Sequence, residues 1–275
     1  MDHFSQARLF FNSQSEPEKN HMIDALRFEL GKVEIPEIRE RMVGILAQVD
    51  KGLAHEVAVG LRVHVPKGGQ QLNKSVPADA EPGSYEPVQK DGLLARSEAL
   101  SMAGTPKDTI ATRKIAFLVA DGVNTSGMMV VKEVLEKEGA VVEIIAPYLG
   151  YVVAEDDSQV AVKRSFLTAA SVFYDAVYIP GGVNSVATLA AEANAVHFIN
   201  EAYKHCKAIA ADAAAMQVLQ ATYFLKKLPS GFNNKDVMME GVTVQEDPEK
   251  LAKQFVAAIK QHRFWEREKP RRVPA

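Results

Sequence analysis

Four short, almost unbroken apolar runs decide most of what this chain can fold into: residues 115–119 (Ile-Ala-Phe-Leu-Val), 141–145 (Val-Val-Glu-Ile-Ile), 176–179 (Ala-Val-Tyr-Ile) and 208–211 (Ala-Ile-Ala-Ala). Each is too short for a helix and too continuously apolar for a strand with one wet face. Such runs belong to strands buried on both sides, which occur where helices cover a parallel sheet. Helix-period stretches lie between and after them. One covers about 125–138 and is closed by Gly139; one carries Val196, Ile199 and Tyr203; one runs from about Ala213 towards Phe224. The last has Leu251, Phe255, Ala258 and Ile259 on one face. Residues 241–245 (Gly-Val-Thr-Val-Gln) add a late strand. Strands alternating with helices imply right-handed crossovers and a doubly wound α/β sheet, with the flavodoxin-like strand order expected.

The first third has a different period. Ser15 and Glu18 form a capping box with Pro17 in the first turn, followed by Ile23, Leu26 and Leu30 and a stop at Gly31. A second helix is expected from Pro36, with Ile38, Met42, Ile45 and Val49 on one face. Asp50 can cap a third, carrying Leu53, Val57 and Leu61. Three short amphipathic helices bury too little alone and call for a partner surface. Between the two regions Pro66, Gly68, Gly69, Pro77, Pro82, Gly83, Pro87, Gly92, Gly104 and Pro106 break every period. This reads as a linker or wrapping segment, with Leu93, Leu94, Leu100 and Met102 expected to pack against something. The expected order is therefore helices over 1–64, a linker over 65–112, the α/β domain over 113–264 and a tail over 265–275.

A formal net charge of -3 disfavours general binding to nucleic acid or an anionic membrane. The basic stretch of Arg263, Arg267, Lys269, Arg271 and Arg272 is interleaved with Glu266 and Glu268 and reads as a solvated tail. A single cysteine, Cys206, rules out a disulfide within the chain and fits a reducing compartment. The opening Met-Asp-His-Phe-Ser-Gln has the features of no secretory leader, and no apolar run approaches a bilayer span, so a cytoplasmic location is expected.

In doubly wound sheets ligands bind at the carboxyl ends of the strands. Three loops there could carry chemistry. Residues 121–127 (Asp-Gly-Val-Asn-Thr-Ser-Gly) open a helix; they could hold a phosphate on backbone N–H groups, but a cap by Asn124, Thr125 or Ser126 is the expected role. The Gly181-Gly182 turn permits close backbone approach and could build an oxyanion hole, or simply turn the chain. The loop at 210–214 is Ala-Ala-Asp-Ala-Ala, and Asp212 stands where a nucleophile elbow would carry Cys or Ser. Asp212 is expected to be the N-cap of the following helix. Cys206 lies off this elbow and reads as a packing or surface residue. His197 and His205 are too far apart on one helix to share a metal. Asp156 and Asp157 read as a turn between two short strands. No catalytic, cofactor or metal site is expected in this chain.

Two resemblances attach to these residues. The stretch from Lys114 to about Thr222, with its opening strand and Asp-Gly turn, its Pro180-Gly181-Gly182 turn and its Ala-Asp-Ala elbow, resembles the DJ-1/PfpI branch of the class I glutamine amidotransferase-like fold. The resemblance implies a Cys at the elbow and an acid early in the first helix of active members; the matching positions are Asp212 and Gly127, so both groups are lost. The stretches at 2–12, 18–25, 28–36 and 41–43 resemble the C-terminal helices of a haem catalase, and His262-Arg-Phe-Trp265 and Val273-Pro-Ala275 are similar to the close of such chains. In this order the parts resemble the C-terminal portion of a large-subunit catalase. That implies a tetrameric parent that removes hydrogen peroxide by haem chemistry, with the α/β domain as an accessory without catalysis of its own. The implied partners are a catalase core or further copies of the chain, through the N-terminal helices. The family's haem ligands lie upstream of the matching region, and Tyr148, Tyr151 and Tyr174 do not correspond to them. Two rival expectations are a small-molecule enzyme of DJ-1/PfpI type acting through Asp212, and a free-standing stress or chaperone-like protein acting through exposed apolar surface.

Overall fold

The periods read from the chain become two separate units, residues 1–105 and 106–275, in the computed structural model, which describes residues 4–66, 79–81, 95–225 and 237–268. Among its described residues unit one has four α-helices, α1 (Ser5–Ser13), α2 (Glu16–Gly31), α3 (Pro36–Val49) and α4 (Lys51–Leu61), one more than the periodicity suggested. Helix α1 has no side-chain cap, and only Phe11 and Ser13 of it are buried, so little in its local sequence announces it. Its Phe11 joins Leu30, Val43, Leu53, Ala54, Val57, Ala58 and Leu61 in a small core supplied mainly by α4. Asp50 caps α4 as expected, accepting from the Leu53 N–H at 2.8 Å. Phe28 stays 67% exposed and Val59 58% exposed, so the helices do not cover their own apolar surface.

Residues 95–105 belong to this helical unit through polar bonds and not through apolar packing. The Glu18 carboxylate accepts from the Ser15 N–H (2.8 Å), the Ser101 hydroxyl (2.7 Å) and the Met102 N–H (2.7 Å), and Gln14 donates to the Leu100 carbonyl at 2.8 Å. The expectation that Leu100 and Met102 pack is corrected: they are 39% and 73% exposed, because this segment is held by its backbone. Leu93 and Leu94, the linker positions Gly68, Gly69, Pro77, Pro82, Gly83, Pro87 and Gly92, and Lys269, Arg271, Arg272 and residues 273–275 lie outside the described residues.

Unit two is a seven-stranded sheet built from β1 (Lys114–Leu118), β2 (Val141–Ala146), β5 (Arg164–Ser165), β6 (Ala176–Ile179), β7 (Ala208–Asp212), β8 (Val237–Met239) and β9 (Val242–Gln245), with a separate hairpin of β3 (Gly150–Val153) and β4 (Gln159–Val162). The order is β5-β2-β1-β6-β7-β9-β8; every pair is parallel except β8 with β9. Asp156 and Asp157 form the hairpin turn as expected, Asp157 at φ 62°. Alternate residues of each strand feed two cores: Leu118, Ile145, Ile179 and Ile209 on one face, Phe117, Ile144, Tyr178 and Ala210 on the other. The crossovers are α5 (Thr125–Lys137), the pair α6 (Val183–Ala191) and α7 (Ala193–Lys204), and α8 (Met216–Gln220), while α9 (Pro248–Lys260) follows the last strand and packs back on the sheet beside α5.

Two expectations fail here. The helix expected from Ala213 to Phe224 is a three-residue 3-10 turn followed by the five-residue α8. The tail is not all solvated: Arg267 is only 2% exposed and Arg263 is half-buried. Arg267 is drawn in because its guanidinium donates to the Glu240 carbonyl (2.6 Å), the Lys207 carbonyl (2.7 Å) and the Tyr203 carbonyl (3.3 Å), and lies 4.4 Å from the Tyr203 ring.

Candidate functional site

The loops that leave β1, β6 and β7 at their carboxyl ends enclose a cleft of about 800 Å³. At the end of β1 the chain turns through Gly122 (φ 80°), and Asn124 Oδ1 then accepts from the Gly127 N–H at 3.1 Å, capping α5. Of the three expected caps it is Asn124 that does this; Thr125 and Ser126 bond instead to Asp156 and to Asn124 itself. At the end of β6, Gly182 adopts φ 119°, and a Cβ there would collide with the Gly122 carbonyl oxygen. That close approach, together with the Asn124 N–H donating to the Gly181 carbonyl at 2.9 Å, locks the first two loops together.

The third loop starts at Asp212, and its side chain does not cap the turn that follows. The cap reading is therefore corrected. Oδ1 accepts from the Tyr178 hydroxyl at 2.6 Å and Oδ2 from the Gly181 N–H at 2.7 Å. The physical reason lies on the neighbouring strand. Parallel pairing sets Tyr178 beside Ala210 on the same sheet face as Asp212, so β6 and the glycine turn after it supply two donors, and the carboxylate takes these in place of the N–H groups of the short 3-10 turn. Burial pushes the Asp212 pKa up, while the bonds from Tyr178 and Gly181 pull it down; burial prevails. Burial and the adjacent carboxylate push the Tyr178 hydroxyl well above its ordinary value.

Gly127 faces this carboxylate: a Cβ at 127 would stand 3.7 Å from Asp212 Oδ2. The two positions singled out from the sequence are thus neighbours across the cleft, with no acid at 127 to act on anything at 212. Sequence reasoning missed Tyr178, Glu155 and Glu246. Tyr178 was visible as the one polar tip in an otherwise aliphatic strand. Glu155, beside the hairpin turn, accepts from the Val183 N–H (3.2 Å) and from Asn124 Nδ2 (3.3 Å), and only the tertiary fold brings those loops together. Glu246 also lines the cleft, whose lining among the described residues contains no Lys, Arg, His, Cys or Tyr.

The other candidates lie elsewhere. Cys206 is fully buried before β7, where burial, with Glu268 alongside, pushes its thiol up to about 12; it is a packing residue. His197 is exposed, and His205 pairs with Glu201 at 3.3 Å. Among the described residues no three His, Cys, Asp or Glu side chains gather as a metal site. Tyr148 and Tyr151 are 81% and 56% exposed, and Tyr174 donates to Glu143 at 2.7 Å.

Fold and site together define a mostly parallel α/β domain, preceded by a helical segment, whose elbow position carries a carboxylate bonded inward. A family model described as the C-terminal domain found in long catalases matches residues 111–269, and one described as catalase-related immune-responsive matches residues 1–61. The chain belongs to the family of long-catalase C-terminal domains. Its relatives include catalase HPII of Mycobacterium avium (41% identical over 97% of this chain and 36% of the relative), catalase-2 of Bacillus subtilis strain 168 (35%, over 97% and 34%) and catalase-B of Dictyostelium discoideum (32%, over 100% and 36%). The chain thus spans about one third of the length of the curated relatives it matches.

Proposed function

We propose that this chain serves as an accessory, non-catalytic portion of a haem catalase that removes hydrogen peroxide. The observation that carries this reading is the inward bond of Asp212. In a working elbow of the DJ-1/PfpI kind, the nucleophile faces the cleft and the backbone N–H of the glycine turn is free for an oxyanion. Here the Asp212 carboxylate occupies the Gly181 N–H itself, at 2.7 Å. The strand order β2-β1-β6-β7-β9, which is 2-1-3-4-5 when these strands alone are counted, supports a flavodoxin-like assignment of the domain. In this reading the α/β domain spans 113–264, and the helices of 1–64 use their exposed Phe28, Ile35 and Val59 to contact a catalase core or another copy in a tetramer. No helix among the described residues is long and apolar enough to cross a membrane, and the single cysteine suits a reducing cytoplasm; neither nucleic acid nor a lipid surface is a partner.

The described residues of the cleft do not fit haem. They include none of the usual axial ligands, and two buried tyrosines are committed elsewhere, Tyr174 to Glu143 and Tyr178 to Asp212. Reconstitution with hemin is the test. A Soret band accompanied by oxygen evolution from peroxide at a catalase-like rate overturns the proposal; no specific band and no oxygen is the expected result. A second reading, a small-molecule enzyme at the cleft, draws on the raised pKa of Asp212 and the size of the cavity. Turnover in an esterase, glyoxalase or peptidase panel, abolished by Asp212→Ala, would favour it.

A further inference from the structure

A second constellation lies at the opposite end of the sheet from the cleft. Arg113, Asp175 and Lys207 each immediately precede a strand, β1, β6 and β7, and these three strands are neighbours. His262 and Arg263 arrive at the same end just after α9. Asp175 is the carboxylate at their centre. It accepts from the Lys114 N–H at 2.9 Å, and its Oδ1 lies 3.4 Å from Arg113 and 3.8 Å from His262. One carboxylate therefore stands among three permanent or near-permanent cations, Arg113, Lys207 and Arg263.

Among the described residues the remaining two have no carboxylate of their own, since Asp175, whose charge acts on both, is shared with Arg113. Lys207 is 3% exposed, and its ammonium donates to the Ser171 carbonyl (2.5 Å) and the Tyr174 carbonyl (2.8 Å), which carry no charge. Half-buried Arg263 donates to the carbonyl of its own neighbour, His262, at 2.9 Å. Glu201, whose charge also acts on Lys207, is engaged by Lys204 at 3.9 Å and His205 at 3.3 Å. The excess is felt locally: burial and then Arg263 hold Lys207 down to about 8, and burial with Arg263, Arg113 and Lys107 holds His262 down to about 4. Withdrawn cations are normally paired, because leaving charge uncompensated away from water is costly.

We propose that this cluster is an oxyanion site that takes a phosphate-class dianion, with the Arg263 fork as its main ligand and Arg113 and Lys207 supplying the field. Two uncompensated positive charges match a dianion, and a guanidinium presents the paired donors that phosphate oxygens accept. The proposal stands independently of the catalase reading.

The test titrates inorganic phosphate into the full chain at constant ionic strength, against chloride, and follows phosphorus NMR line width and melting temperature. Saturable broadening and a saturable rise in melting temperature, both displaced by sulfate, are expected. Arg263→Gln should weaken binding about tenfold or more, as loss of a charge-assisted hydrogen bond does. A response equal to that of chloride, or wild-type affinity in Arg263→Gln, overturns the proposal. Should Arg263→Gln fail to fold, Arg263→Lys keeps the charge and loses the fork, and must still bind more weakly. Glycerol phosphate as a parallel probe separates the sources: tighter binding than inorganic phosphate supports an ester ligand, weaker binding the free anion.

Discussion

Replacing Asp212 by alanine removes the acceptor for two donors, the Tyr178 hydroxyl and the Gly181 N–H. Tyr178 is fully buried, so its hydroxyl has no water to turn to, and a buried donor left without an acceptor costs about 1–3 kcal/mol. Gly181 lines the cleft, where water can replace the carboxylate, so its share is about 0.5–1 kcal/mol. Against this stands the relief of removing a buried charge. The Asp212 pKa is raised above 3.8, so its stabilisation is complete below 3.8 and declines as pH climbs through the higher folded value. The net expectation near neutral pH is a loss of about 1–3 kcal/mol, or roughly 2–4 °C of melting temperature per kcal/mol for a domain of this size. The penalty should be larger near pH 4 than near pH 7. Thermal melts of Asp212→Ala, Asp212→Ser, Tyr178→Phe and the Asp212→Ala/Tyr178→Phe double variant test this. The double variant should cost clearly less than the sum of the singles, because Tyr178→Phe removes the orphaned hydroxyl. Serine should not rescue, since its shorter side chain cannot span to Tyr178. Full rescue by serine, strict additivity, or a melting temperature that rises in Asp212→Ala would refute the reasoning.

Arg267→Met strips donors from three carbonyls and should lower stability by about 2–4 kcal/mol, read by chemical denaturation, with Arg267→Lys failing to restore it because an ammonium cannot reproduce the fork. In the helical unit, burial tends to raise the Glu18 pKa, but its hydrogen bonds from Ser15, Ser101 and Met102 win and hold it down from 4.5 to about 2. Its stabilisation is present above pH 4.5 and lost as pH falls towards 2, so the protection factor of the Met102 N–H, its exchange corrected for the intrinsic rate at each pH, should fall over that interval in the wild type. Glu18→Gln should exchange faster at neutral pH and show little of this pH dependence; an unchanged Met102 rate would count against the clamp.

The local signals of the chain were sufficient for the parallel sheet, for the Asp50 cap, for a cap within residues 124–126 and for the hairpin turn at Asp156 and Asp157, because each depends on residues close in sequence. The small residues around Asp212 marked it as the elbow position, and the resemblance to the DJ-1/PfpI branch, not spacing alone, implied Gly127 as the place of its helper. What Asp212 bonds to depended on strand pairing, which sets Tyr178 and Gly181 beside it from a segment 31 to 34 residues away. The same holds for the tail: its charges read as solvated by composition, yet Arg267 is buried because three carbonyls converge on it, Tyr203 and Lys207 from the passage out of α7 into β7 and Glu240 from the turn between β8 and β9. The cation cluster around Asp175 arises because residues preceding β1, β6 and β7 are brought to one end when those strands align in parallel. Backbone periodicity and capping are short-range forces and can be read along the chain. Hydrogen-bond partners and the fields around charges are set by the distances that folding creates, and those belong to the tertiary structure alone.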